Sequence, residues 1–274
     1  MASASELLVI GHITRDLLEE GGYRPGGTAL YAAVTASRLG WHATVWTATA
    51  SEVPPLPGVT VVSLPSPNDT TFCNRYDGGR RVQQLLARAS SLLPERFPPS
   101  SAAVVLLGPV AQEVPPAWVE RFPQALVGAC LQGWLRAWDA SGNVCSAPWK
   151  ASRRWLPRFA VVFLSLEDVG GRRSRARSYA ARAPLLVLTE GKEGATLFHR
   201  GHATSIPAFA ADEVDPTGAG DVFAAAFMIR YAEGASPLQA ARFAAAAAAL
   251  SVQRPGVEAI PDRQTVERYL GEVR

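Results

Sequence analysis

The chain has 274 residues, 48% of them hydrophobic, enough to bury the core of one large α/β domain. A formal net charge of +3 excludes a strongly basic polyanion binder, and lysine occurs only at Lys150 and Lys192. Cys73, Cys130 and Cys145 lack C-x-x-C spacing, and neither a leader nor a clean membrane-spanning run is evident, so a soluble cytoplasmic protein without disulfides or structural zinc is expected.

The first apolar run, 7–10, ends at Gly11 and predicts a strand, after which Asp16 falls just past the strand end, where open α/β sheets hold ligands. Residues 14–22 then alternate in polarity around Gly21-Gly22. Gly26-Gly27-Thr28-Ala29 opens a helix predicted over 28–39, with Gly40 suited to its C-terminal cap. A strand at 43–46 and a surface connection at 54–58 precede a second polar alternation at 69–84, with a turn signal at Asp77-Gly78-Gly79. Strands at 103–107, 125–129, 160–164 and 185–188 follow, with helix-compatible segments at 115–122 and 174–183. The arginines between Arg172 and Arg177 read as a solvated face because no aromatic residue interleaves with them. His199 and His202 read as surface residues at a hairpin edge. From Val222 onward two or three helices are predicted, broken near 234–237 and at Pro255-Gly256.

Continuous apolar strands alternating with helices predict a doubly wound α/β architecture with a mostly parallel sheet. The two polar alternations are expected to form a small β lid, over about 14–24 and 68–84, on a single domain spanning 1–274.

The chemistry concentrates at Asp215-Pro216-Thr217-Gly218-Ala219-Gly220-Asp221, which runs directly into an apolar, alanine-rich helix. Small residues let an anion approach the N–H groups of Gly218, Ala219 and Gly220, and the positive end of the helix dipole points the same way. Asp221, in the first helical turn, is then a candidate base beside the bound anion. Alone, the same string also reads as an ordinary loop with an acidic helix start.

The order of these motifs resembles the ribokinase-like (PfkB) carbohydrate kinase family. The matching residues are Asp16 past the first strand, Gly26-Gly27 before a helix ending Arg38-Leu39-Gly40, Thr189-Glu190-Gly191-Lys192-Glu193-Gly194-Ala195, the 215–221 turn, and Val252-Gln253-Arg254-Pro255-Gly256. The region 131–136 is similar to a subgroup that includes plant myo-inositol kinases. The resemblance implies a Rossmann-like three-layer α/β/α sandwich with a β lid, ATP as donor, and Mg2+ carried with the nucleotide. It implies Asp221 as base, and Gly218, Ala219 and Gly220 as anion hole. Asp16, Gly26, Gly27, Tyr31 and Arg136 would meet the substrate, and Thr189, Gly191 and Gly194 the nucleotide. Asp168 would act through water on Mg2+, and Asp215 would hold a monovalent cation such as K+.

Two positions depart from the family pattern. Tyr31 stands where many sugar kinases of the family have Asn, and Ser165-Leu166-Glu167-Asp168 replaces Asn-x-x-Glu, leaving either Glu167 or Asp168 for the metal shell. The expected function is ATP-dependent phosphorylation of a sugar or cyclitol such as myo-inositol. The alternatives are a nucleoside kinase, with Tyr31 stacking on the base, or a ligand-binding protein without turnover. Arg15, Arg24, Arg75, Arg80 and Arg81 in the lid segments keep an anionic substrate open. No nucleic-acid or membrane partner is expected, and the protein is expected to be a monomer or homodimer.

Overall fold

A computed structural model describes residues 5–18, 20–77 and 80–272. The chain begins with β1 (Glu6–Ile10), β2 (Thr14–Leu17), β3 (Tyr23–Gly26), α1 (Thr28–Arg38) and β4 (His42–Thr49). Next come β5 (Val59–Pro65), β6 (Thr71–Asp77), β7 (Arg80–Ala87), β8 (Val104–Leu107) and β9 (Leu126–Cys130). A short hairpin, β10 (Arg136–Trp138) and β11 (Val144–Ser146), precedes α2 (Ser152–Trp155), β12 (Val161–Ser165) and α3 (Arg173–Ala180). The chain continues through β13 (Leu185–Thr189), β14 (Ala195–His199), β15 (His202–Ile206), α4 (Ala219–Ala232), α5 (Pro237–Ser251) and α6 (Arg263–Glu272).

Nine strands form one sheet in the order β15-β14-β13-β12-β9-β8-β1-β4-β5. Pairing is parallel from β5 to β13, and β14 and β15 extend the sheet antiparallel. All six apolar runs read from the sequence are strands of this sheet, because both of its faces are covered. Leu7 and Val9 of β1 enter one core with α1, α4 and α5, while Leu8 and Ile10 enter the other. That two-residue alternation divides the molecule into three layers, as a three-layer α/β/α fold requires.

The two outer layers differ. On one side α4 is buried from Val222 to Ile229 and packs against α1 and α5, which explains why its sequence is apolar on every face. On the other side helices are short, and aromatic residues do the covering. Trp118 is wholly buried and donates its indole N–H to Leu92 O at 2.7 Å, and Trp134 stacks on Trp149 with centroids 4.6 Å apart. The helix expected over 115–122 is a 3-10 helix at Pro116–Arg121, which its prolines start and its length cannot extend. Strand β5 and the β10–β11 hairpin were not read from the sequence, since β5 is a half-buried edge strand whose alternation is broken at Val61-Val62 and the hairpin strands have three residues each.

The two polar alternations form a separate four-stranded sheet in the order β3-β2-β6-β7. The Asp77-Gly78-Gly79 turn and the side chains of Arg75, Arg80 and Arg81 lie outside the described residues. In this sheet Asp16 pairs with Arg24 and Leu17 with Tyr23. Strand parity therefore sends Thr14, Asp16 and Arg24 toward the main sheet and leaves Leu17 and Tyr23 exposed on the outer face. Between this sheet and the carboxyl ends of β1, β8 and β9 lies a cavity.

Candidate active site

The cavity is floored by the start of α4. Gly218 caps that helix with φ 81° and ψ −4°, the left-handed region. A Cβ there would also stand 2.3 Å from the Tyr31 ring, so only glycine satisfies both the backbone and the packing. Ala219 donates its N–H to Pro216 O at 3.2 Å, whereas Asp221 N and Val222 N both close onto Gly218 O, at 3.0 and 2.9 Å. Of the three N–H groups expected to meet an anion, that of Ala219 is thus already engaged within the turn.

Asp221 lines the cavity from the first turn of α4. Burial pushes its carboxyl up to about 6; Asp168 and Asp16 add to that rise, while the Thr28 hydroxyl and the Arg136 guanidinium oppose it. Asp16 reaches the cavity from β2, with the Thr14 hydroxyl donating to its Oδ1 at 3.2 Å. Gly26 makes room for that carboxylate, since a Cβ at Gly26 would lie 2.6 Å from Asp16 Oδ2. Gly27 is the N-cap of α1, placing Thr28 and Tyr31 on the cavity wall.

Tyr31 is 2% exposed, and its hydroxyl is buried without a hydrogen-bond partner among the described residues. Burial and then the charges of Asp215, Asp221 and Asp16 raise its pKa, so it stays a neutral donor. A ring enclosed to this degree has no face open to stack on a nucleobase, and the stacking expected of Tyr31 is thereby corrected.

Arg136, at the start of β10, donates to Val110 O at 3.0 Å and lies 5.5 Å over the Phe72 ring. Gln132 lines the same wall. Asp168 sits in a reciprocal turn at the end of β12, where Ser165 N donates to its Oδ2 at 2.7 Å and its own N–H donates to Ser165 Oγ at 3.1 Å. Burial raises its pKa, with the Ser165 hydrogen bonds and Arg136 opposing. Glu167 is exposed, so of the two carboxylates Asp168 faces the protein interior.

The structure thus brings Asp16, Gly27, Tyr31, Arg136, Gly218 and Asp221 to one cavity. Thr189, Gly191 and Gly194 line no part of it. They form the turn from β13 to β14, one strand away from Ser165, where Glu190 pairs with Arg173 at 2.7 Å. Asp215 lies behind the turn, accepting from Thr217 N at 3.0 Å, Arg24 Nη1 at 2.7 Å and Gly256 N at 3.4 Å. Sequence reasoning missed Thr14, Thr28, Phe72, Gln83 and Val110. Thr28 directly follows the glycine pair, and Phe72 and Gln83 share the inward parity of the small sheet; no local signal marks Val110.

Residues 166–263 match the family described as pfkB family carbohydrate kinase. The chain is 32% identical to an inositol 3-kinase of Zea mays over 187 residues, covering 66% of this chain and 47% of that protein. It is 44% identical to a ribokinase of Bacillus subtilis (strain 168) over 86 residues, covering 31% and 29%. The chain thus spans less than half the length of these curated relatives. Among solved structures, a pyrophosphate-dependent kinase of the ribokinase family, complexed with a pyrophosphate analog and myo-inositol, superposes with TM-score 0.81 at 23% identity, covering 96% of this chain and 99% of that one. Arabidopsis thaliana ribokinase complexed with ribose and ATP gives TM-score 0.73 at 20% identity, covering 98% and 99%. At these identities the superpositions establish the ribokinase fold.

Proposed function

We propose that this chain is a ribokinase-like pfkB carbohydrate kinase that transfers the γ-phosphoryl group of ATP to a hydroxyl of a small polyhydroxylated molecule. A cyclitol such as myo-inositol is the leading acceptor and a sugar the next. The observation that carries this reading is Asp221, a half-buried carboxylate with its pKa near 6, beside a left-handed glycine at a helix start and across a polar cavity from Asp16.

Asp221 takes the proton of the acceptor hydroxyl as its oxygen forms a bond to the γ-phosphorus and the bond to the β-phosphate oxygen breaks, releasing ADP. A base titrating near 6 is ionised at neutral pH yet basic enough to share the proton in the transition state. The N–H groups of Gly218 and Gly220 and the dipole of α4 meet the charge on the transferred group. Asp16 accepts from acceptor hydroxyls, and the neutral Tyr31 hydroxyl donates to one. Gln132 and Arg136 fix the substrate on the opposite wall. The donor's triphosphate would rest along Thr189, Gly191 and Gly194.

Mg2+ travelling with the nucleotide supplies charge neutralisation to the phosphates when bound. Asp168 fits a role in its outer shell, because its carboxylate is held in a fixed turn just past the carboxyl end of β12. A monovalent cation at Asp215 does not fit, since an arginine and two backbone N–H groups already hold that carboxylate.

The test is ADP release from ATP and Mg2+ against myo-inositol, ribose, fructose, fructose 6-phosphate, adenosine and cytidine, with orthophosphate release followed in parallel when pyrophosphate is the donor. Acceptor-dependent turnover is expected with a cyclitol or sugar, lost by about 10²- to 10⁴-fold in Asp221→Asn with nucleotide binding retained. Undiminished turnover in that variant would remove Asp221 from the mechanism.

A further inference from the structure

Asp215 heads a turn proposed to receive a phosphoryl anion, which a bare carboxylate at that position would repel. Its backbone is fixed, with the N–H groups of Val214 and Asp215 both donating to Val252 O at the end of α5, at 2.8 and 3.0 Å. The positive charge that offsets it arrives from a distant part of the chain. Arg24 projects from the inward face of β3, and its Nη1 lies 2.7 Å from Asp215 Oδ2. The stem of the arginine runs over Gly256, where an added Cβ would touch Arg24 Cδ at 3.5 Å. Gly256 N–H donates to the same carboxylate oxygen, and Thr217 N–H takes the other.

We infer that Arg24 is a built-in cation for Asp215, occupying the electrostatic role that an alkali metal ion would otherwise fill and making the phosphoryl-binding turn independent of such ions. The guanidinium is permanently charged, so near neutral pH this compensation does not depend on which monovalent cation the medium contains. Because Arg24 belongs to the small sheet and Asp215 to the turn before α4, the same contact fastens that sheet to the floor of the cavity. An alkali ion brought to Asp215 would face a like charge within hydrogen-bond distance of its ligand. The residues present therefore disagree with the monovalent-cation site implied by the family resemblance. Arg24 is a positioning residue in this scheme and touches neither substrate nor donor.

The functional consequence rests on the proposed kinase reading, but the ion test does not. Melting temperatures of the wild type, Arg24→Ala, Arg24→Gln and Arg24→Lys are measured in KCl, NaCl and choline chloride at equal ionic strength, alongside acceptor-dependent ADP release. Wild type and Arg24→Lys are expected to melt alike in all three salts. Arg24→Ala and Arg24→Gln are expected to melt higher in KCl or NaCl than in choline chloride. Their turnover should fall roughly tenfold or more in choline chloride and recover in an alkali salt. Alkali-specific stabilisation of the wild type would overturn the inference, as would its absence in both uncharged variants or a turnover loss that no alkali ion restores. Inactivity of every protein would count against the kinase reading alone, since the melting comparison still judges Arg24.

Discussion

At the scale of single residues, the site is governed by how burial and neighbouring charge set each side chain's protonation. Asp221 is held near 6 in the folded protein against an ordinary value of 3.8, so the folded state disfavours its ionised form. The resulting destabilisation is present above about pH 6 and disappears as pH falls through 6 toward 4. Asp221→Asn should therefore melt a few degrees higher than wild type at pH 8, with the gap closing by pH 4. Thermal melts of the two proteins across that range check this, and a gap independent of pH would contradict the raised pKa. The candidate roles of Gly218 and Asp221 were legible because backbone freedom and a helix-start carboxylate are local properties. The enclosure of the Tyr31 ring against Gly218 was not, since it joins α1 to a turn almost two hundred positions away.

At the scale of elements, α4 and α5 form the support on which the turn rests. α5 begins with a complete capping box, in which Ser236 Oγ accepts from Gln239 N at 3.3 Å and Gln239 Oε1 accepts from Ser236 N at 2.9 Å. Pro237 follows at the first helical position. Ser236→Ala should cost about 1 kcal/mol and lower the melting temperature by about 2–4 °C while leaving ADP release per folded molecule unchanged. A loss of turnover would mean that the cap matters to the cavity and not only to the helix. The break at 234–237 was readable from its proline and glycine, and the box explains its position. The segment at 115–122 was misread as an α-helix because its apolar spacing is compatible with one, whereas the prolines and the demands of the Trp118 layer decide otherwise.

At the scale of the whole molecule, the small sheet is joined to the main one through His12. This fully buried imidazole lies past the end of β1; Thr70 Oγ1 donates to its Nδ1 at 2.7 Å, and its Nε2–H donates to Ser90 O at 3.0 Å. Thr70 and Ser90 flank β6 and β7 on either side, so one ring ties both ends of that hairpin to the core. Burial lowers the pKa of His12, with Glu113 opposing, which keeps the ring neutral. Its contribution is fully present above about 6.5 and is lost as pH falls below that value, because the unfolded chain takes up the proton more readily. In an Asp221→Asn background, which removes the opposing effect of that carboxylate, the melting temperature should fall between pH 7 and pH 5. A further His12→Gln change should remove that slope.

The sequence by itself determined the seven-residue turn of the site floor, the six buried strands and the glycine pair before α1, because each follows from local backbone freedom or from burial on both faces of a sheet. Only the tertiary structure decided which face of the small sheet looks inward, that Arg24 meets Asp215, and that Ala219 spends its donor inside the turn. Those outcomes depend on strand parity and on contacts between distant segments, and such contacts leave no periodic trace in the residues that make them.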